Sequence, residues 1–257
     1  MRGQEKLISF IDTFNINSFP HSVLLLGEEG SGQADICTYI ADKFEMLSLD
    51  ITNSISHETV DNIILTTSEP TIYTINMNKI AEREQNILLK LYEEPNNFTY
   101  ILLIAETTND ILDTIINRSY TMNMCRYTKD QLRKEVTNKE SEELILEVCH
   151  TPGQVSVANH TNMEALHNLC TNMLLKIDKA NFFNTLTISD KINFKDEYSK
   201  YDMKLFVRML LLVMKETKRY EFLDYLNTFN RYVDFMIDKK SYFENFLIKI
   251  WRLSHDN

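Results

Sequence analysis

Up to about residue 126 the apolar residues alternate between two spacings. Leu7, Ile8, Ile11 and Phe14 lie on one face of a helix predicted over Gln4–Phe14. Val23 to Leu26 is a short continuous apolar run ending at Gly27, the pattern of a strand buried on both faces. A Gly-rich turn follows, then a helix through about Phe44, a strand near Met46–Leu49 and a helix starting after Ser56. Thr71–Ile75 is β-branched and aromatic and predicts a strand. Glu82–Glu94 carries Ile87, Leu88, Leu91 and Tyr92 at helical spacing, and Pro95 is the predicted stop. Tyr100–Ala105 and Tyr120–Met124 are the next strands. Strands and helices alternating at this interval predict an α/β domain, a parallel sheet with helices on both faces.

After Tyr127 only the helical period remains. Thr128 with Gln131, and Thr137 with Glu140, fit the capping box and predict two helix starts. Thr151-Pro152 fits an N-cap followed by proline at the first helical position. Met203–Met214, Glu221–Met236 and Ser241–Leu253 are rich in Leu, Phe, Met and Tyr at helical spacing. Three parts are expected: an α/β domain over 1–126, a small helical domain over 127–162 and an all-α C-terminal domain over 163–257.

Composition narrows the function classes. With 257 residues, 44% of them hydrophobic, the chain can bury two or three small cores. No run of about eighteen apolar residues occurs, and the charged start MRGQEKLISFIDTF does not read as a signal peptide. A cytoplasmic protein without membrane spans is expected. Cys37, Cys125, Cys149 and Cys170 stand singly, so reduced thiols are expected rather than a disulfide framework. The formal charge of -10 is the wrong sign for a protein that grips DNA by itself.

The candidate chemistry centres on Gly27-Glu28-Glu29-Gly30-Ser31-Gly32-Gln33-Ala34, between a strand and a helix, where a phosphate-binding loop belongs. A working loop needs Lys for the β- and γ-phosphates and Ser or Thr for magnesium. Gln33 and Ala34 hold those places, and Glu28 and Glu29 add negative charge. By itself the segment also fits a plain strand-to-helix turn. A second acidic motif would follow the strand Thr71–Ile75, yet Asn76-Met77 stands there. Asn is a poor magnesium ligand, and Met cannot activate water. Two losses at matched places predict a degenerate nucleotide site.

The segment Gln85-Asn86-Ile87-Leu88-Leu89-Lys90-Leu91-Tyr92-Glu93-Glu94-Pro95 resembles the Asn-x-Leu-Leu-Lys-x-x-Glu-Glu-Pro signature of AAA+ clamp-loader subunits. Gly3-Gln4 resembles the family's Gly-Gln box, and Pro20-His21-Ser22-Val23-Leu24-Leu25-Leu26-Gly27 its lead-in to the phosphate loop. Thr107 and Thr108, behind the strand Tyr100–Ala105, resemble the sensor-1 region. Thr114-Ile115-Ile116-Asn117-Arg118-Ser119 resembles the Thr-Ile-x-Ser-Arg-Cys box, with Asn117 and Ser119 as departures. Thr151-Pro152-Gly153-Gln154 resembles an x-Pro-Gly-x turn, with Gln154 or a close neighbour where active members carry a sensor-2 arginine. The resemblance covers about residues 3–160. The four-cysteine zinc module of many bacterial relatives is missing.

The resemblance implies a AAA+ fold with a helical lid and collar, and it is strongest to the delta-prime type of DNA polymerase III loaders, bacterial or phage. It implies a non-catalytic subunit whose own site, Gly27, Gly30, Gly32, Gln33, Ala34, Asn76, Met77, Thr107 and Thr108, is empty or weak. Arg118 would then be an arginine finger for ATP on a neighbouring subunit. Implied partners are the loader's ATPase subunits, the sliding clamp and primed DNA, in a hetero-oligomer. The alternatives are a weakly active loader ATPase and a pseudo-ATPase adaptor in another DNA-handling complex such as helicase loading. Arg118 also fits a surface arginine paired with a carboxylate. The six histidines show no i, i+4 pair suited to zinc, and no metal site is expected. The aromatic tail (Phe222, Tyr225, Phe229, Tyr232, Phe235, Phe243, Phe246, Trp251) has the spacing of core and interface packing rather than of a base-stacking platform.

Overall fold

The computed structural model describes residues 2–94, 96–177, 179, 202–232 and 238–255. The helix stop expected at Pro95, and Phe235 and Met236 at the end of one expected helix, lie outside them. The chain forms two compact units, Met1–Thr128 and Lys129–Asn257.

The first unit is a parallel sheet of five strands: β1 (Ser22–Leu26), β2 (Leu47–Asp50), β3 (Thr71–Asn76), β4 (Thr99–Ala105) and β5 (Tyr120–Asn123). They lie in the order β2-β3-β4-β1-β5, every pair parallel. Helix α1 (Glu5–Ile11) precedes β1, and α2 (Gln33–Lys43), α3 (His57–Thr66), α4 (Glu82–Glu93) and α5 (Asp113–Ile116) lie in the connections between strands.

Successive strand side chains point to opposite faces, and each face has its own core. Val23, Leu25, Ile72, Tyr100 and Leu102 pack with Leu7 and Ile11 of α1 and Ile36 and Ile40 of α2. Leu24, Tyr73, Ile75, Ile101 and Leu103 pack with Val60 and Ile63 of α3, Leu88 and Leu91 of α4, and Ile115 of α5. This three-layer arrangement explains why the central strands are continuous apolar runs instead of alternating ones. It is the AAA+ fold expected from the sequence.

Local signals set several element ends. Ser56 caps α3, its Oγ accepting the Thr59 N–H at 3.1 Å. Glu84 reaches back to the Ala81 N–H at 2.7 Å to start α4. All of the formal charge of -10 falls in the first unit, which has 8 Lys and Arg against 18 Asp and Glu; the second has 19 of each.

The second unit contains α6 (Lys129–Arg133), α7 (Glu142–Val148), α8 (Pro152–Asn159), α9 (Met163–Ile177), α10 (Met203–Glu216), α11 (Leu223–Tyr232) and α12 (Lys239–His255). α6 begins directly after Thr128, and Thr151 caps α8 by accepting the Gln154 N–H at 3.4 Å, both as expected. The start expected at Thr137 is displaced: α7 begins at Glu142, behind Ser141. The N–H groups of Thr137 and Asn138 instead donate to Asn159 Oδ1 at 2.9 and 3.3 Å, so a tertiary acceptor takes the donors that a helix start would leave free. Phe222, Phe229, Phe243 and Phe246 are buried, and the last three form one cluster with centroids 5.2–5.8 Å apart. Buried rings offer no face for stacking bases.

Candidate functional site

The C-terminal edge of the sheet carries the segments singled out in sequence. β1 runs into Gly27, whose N–H donates to the Ala105 carbonyl at 3.0 Å. The chain then turns, with the Ser31 N–H on the Glu28 carbonyl at 3.1 Å, and enters α2 at Gln33. Gly32, the N-cap, has φ +94°, a left-handed conformation natural to glycine. Gly27 has no room for a side chain: a Cβ there would lie 2.6 Å from Met124. Glycines at a turn into a helix N-terminus are the backbone arrangement that a phosphate loop uses.

The side chains have other occupations. Gln33, at the lysine position, is buried, and its Nε2 donates to the carbonyls of Gly27 at 2.9 Å and Ala105 at 3.1 Å. An amide nitrogen has two hydrogens, and both are spent inside the fold. Ala34 has no hydroxyl for a metal. The Ser31 carbonyl accepts from Tyr127 Oη at 2.9 Å and Gln4 Nε2 at 3.4 Å, and Gln4 also joins the backbone of Cys125 through both ends of its amide, at 3.0 and 2.8 Å. The Gly-Gln box is thus a brace between the N-terminus, the loop and the segment after β5.

Asn76, at the end of β3, turns its Oδ1 back onto the Asn78 N–H at 3.1 Å and caps the short 3-10 turn Met77–Lys79. Met77 is buried in the core with Ile75 and Leu88. Neither presents the oxygen that magnesium needs. Thr107 is exposed and accepts from the Asn109 N–H at 3.4 Å, and the Thr108 carbonyl accepts from the Ile111 N–H at 3.1 Å. The residues at this edge do not fit an ATP–magnesium complex. In the second unit Gln154 is buried and accepts the His150 N–H at 2.8 Å.

Arg118 lies at the other edge. It precedes β5, whose register sets Tyr120 beside Val23 and Asn123 beside Leu26. The phosphate loop follows Leu26, so the length of β1 separates the two, roughly 15 Å at the rise of a strand. Arg118 is exposed; its N–H donates to the Ile115 carbonyl at 3.1 Å, and its side chain makes no hydrogen bond or ion pair among the described residues. The carboxylate pairing open to it from sequence does not appear there.

The segment holding Arg118 is clamped by α4. At one end the Gln85 amide, buried, donates from Nε2 to the Asp110 carbonyl at 2.7 Å and accepts the Leu112 N–H at 2.9 Å. Two turns on, Tyr92 Oη meets Ser22 Oγ at 3.0 Å and Ser119 Oγ at 3.3 Å, while the two serines are 2.8 Å apart. Burial pushes the Tyr92 hydroxyl above its usual range. Sequence reasoning quoted these residues as motif positions and missed their contacts. The signal was there: Gln85 and Tyr92 share the apolar stripe of Leu88, where a polar group must find a partner.

Residues 65–128 match the sequence family described as DNA polymerase III, delta subunit. The match runs from the end of α3 to the end of the first unit and includes α4 and Arg118, but not the phosphate loop. The match is thus a likeness of this segment, about a quarter of the chain, to that family. Among solved structures, a threonine-to-valine variant of the RuvB protein of Thermotoga maritima is similar with a TM-score of 0.51, at 16% identity over 98% of this chain and 86% of that one. A DNA polymerase III gamma subunit-related protein of Thermotoga maritima gives 0.48 at 17% identity, over 98% of this chain and 99% of that one. At 16% identity the RuvB likeness is one of fold. No curated protein matches the chain. Among the described residues no helix is long and apolar enough to cross a membrane, and no group of three or more His, Cys, Asp and Glu is placed to hold a metal ion.

Proposed function

We propose that the chain is a delta-prime-like clamp-loader subunit. It binds no nucleotide productively itself and supplies Arg118 to ATP held by a neighbouring ATPase subunit. The observation that carries this reading is the placement of Arg118 at the sheet edge opposite its own phosphate loop. From there its guanidinium can serve only a site outside this unit's own loop. Exposed and without a carboxylate partner among the described residues, it can stabilise charge spreading over a γ-phosphate as that group transfers.

The loss on the chain's own side supports the same division of labour. Gln33 keeps the loop closed with an uncharged amide, Ala34 and Met77 offer no metal ligand, and the first unit's excess of acids repels phosphates. The C-terminal helices would join the ATPase subunits in a cytoplasmic hetero-oligomer that opens a sliding clamp and places it on primed DNA. Positive charge for the DNA would come from those other members.

The test measures binding of a fluorescent ATP analogue, with magnesium, to the isolated chain and to the reconstituted loader. The loader binds in the micromolar range typical of such sites, about 1 μM–1 mM in KM terms, while the isolated chain does not bind. Micromolar binding and turnover by the isolated chain would favour an active loader ATPase.

A further inference from the structure

We infer that Tyr92, Ser22 and Ser119 are positioning residues, a part-buried chain of hydroxyls through which the signature helix α4 fixes the direction in which Arg118 leaves the fold. The inference rests on the reading of Arg118 as a residue supplied to a neighbour.

A helix as short as α5, Asp113–Ile116, has almost no stability of its own, since forming its first turn orders several residues for one bond. Arg118 follows two residues later, so its position is only as defined as whatever holds this turn. Ile115 anchors it from the core. The polar anchor is Ser119, whose hydroxyl donates to the Ile115 carbonyl at 2.9 Å.

That bond determines the rest. A serine has one hydrogen, so at 2.8 Å from Ser22 the Ser119 oxygen must accept, and Ser22 donates. Ser22 has then spent its own hydrogen, so at 3.0 Å Tyr92 must donate to it. The protons run in one direction, Tyr92 to Ser22 to Ser119 to the Ile115 carbonyl. Because burial disfavours the phenolate, Tyr92 stays a donor at neutral pH. Three separate pieces of chain, the last turn of α4, the start of β1 and the residue after Arg118, are joined at one point. Gln85 fixes the approach to α5 from the other end of α4. The clamp-loader signature helix acts in this chain as a splint for the arginine segment.

The experiment uses the full chain in a loader reconstituted with its ATPase subunits, and follows clamp- and DNA-stimulated ATP turnover. Tyr92→Phe removes one oxygen and keeps the ring. It and Ser119→Ala are expected to lower kcat about tenfold, less than loss of the guanidinium itself, by letting Arg118 stray from its productive position. KM for ATP, subunit assembly and the melting temperature of the chain stay close to wild type, and Ser119→Thr, which keeps the hydroxyl, recovers most of the rate. In an Arg118→Ala background Tyr92→Phe has no further effect. If Arg118→Ala collapses the rate while Tyr92→Phe and Ser119→Ala leave it unchanged, the positioning role is wrong and the reading of Arg118 survives. If Tyr92→Phe lowers the rate by the same factor with and without Arg118, its effect is general and the inference fails. If Arg118→Ala changes nothing, the reading of Arg118 fails first. Should Ser119→Ala not fold, Tyr92→Phe alone carries the comparison.

Discussion

The Gln33 side-chain amide donates to the Ala105 carbonyl at 3.1 Å, tying the first turn of α2 to the end of β4 across the loop that a nucleotide would need open at its heart. The same nitrogen donates to Gly27. Where a working phosphate loop needs a charged lysine, this side chain is an internal joint.

Gln33→Ala should therefore lower the stability of the chain by about 1–2 kcal/mol, the scale of one or two buried hydrogen bonds left unmade. Urea unfolding followed by circular dichroism checks this. Gln33→Lys restores a charge but no metal ligand, since Ala34, Asn76 and Met77 are unchanged. It should not confer magnesium-dependent ATP hydrolysis. Turnover by that single variant would mean that Asn76 suffices as a ligand.

Gln85 satisfies two backbone groups in the approach to α5. Gln85→Ala leaves the Leu112 N–H and the Asp110 carbonyl without that partner, at a cost of about 1–3 kcal/mol. Amide hydrogen exchange should speed up over residues 110–119 and stay unchanged in β3. Uniform exchange across the first unit would show that the clamp is not local.

The thiols divide by burial. Desolvation raises Cys37 and Cys170 from the ordinary 9.0 to about 12, and Cys149 to about 11, while Cys125 is part-exposed. At pH 8 a thiol reagent should label one cysteine per native chain, with the other three reacting only in denaturant, and Cys125→Ser should abolish the native reaction. The sign of the pH dependence follows. Thiols with folded values above the unfolded 9.0 favour the native state fully below pH 9, and that contribution is lost as pH rises from 9 towards about 12. Melting temperature should fall over that window.

The sheet and the loop were legible because both rest on local pattern. Leu24 to Leu26 and Leu102 to Leu103 are apolar runs only a doubly covered strand needs, and Gly30 and Gly32 mark a turn that asks for positive φ. The failed helix start at Thr137 marks the limit of such reasoning, because its competitor, Asn159, comes from another helix. The residues of the candidate site, Gln33, Ala34, Asn76, Met77 and Arg118, could be named from the sequence alone. The geometry of that site could not be read there. That Arg118 lies at the opposite end of the sheet from its own loop follows from the register of β5 on β1, and the hydroxyl chain joins residues 22, 92 and 119. Only folding brings those together.

The central claim is that Arg118 acts on a neighbour's ATP. Clamp- and DNA-stimulated ATP turnover of the reconstituted loader, with Arg118→Ala against wild type and Arg118→Lys as a control for charge, tests it most directly. The account predicts that both variants assemble, that Arg118→Ala loses about a thousandfold in kcat or more, as loss of an arginine finger implies, and that Arg118→Lys recovers little of it. Wild-type turnover from a fully assembled Arg118→Ala loader would contradict it.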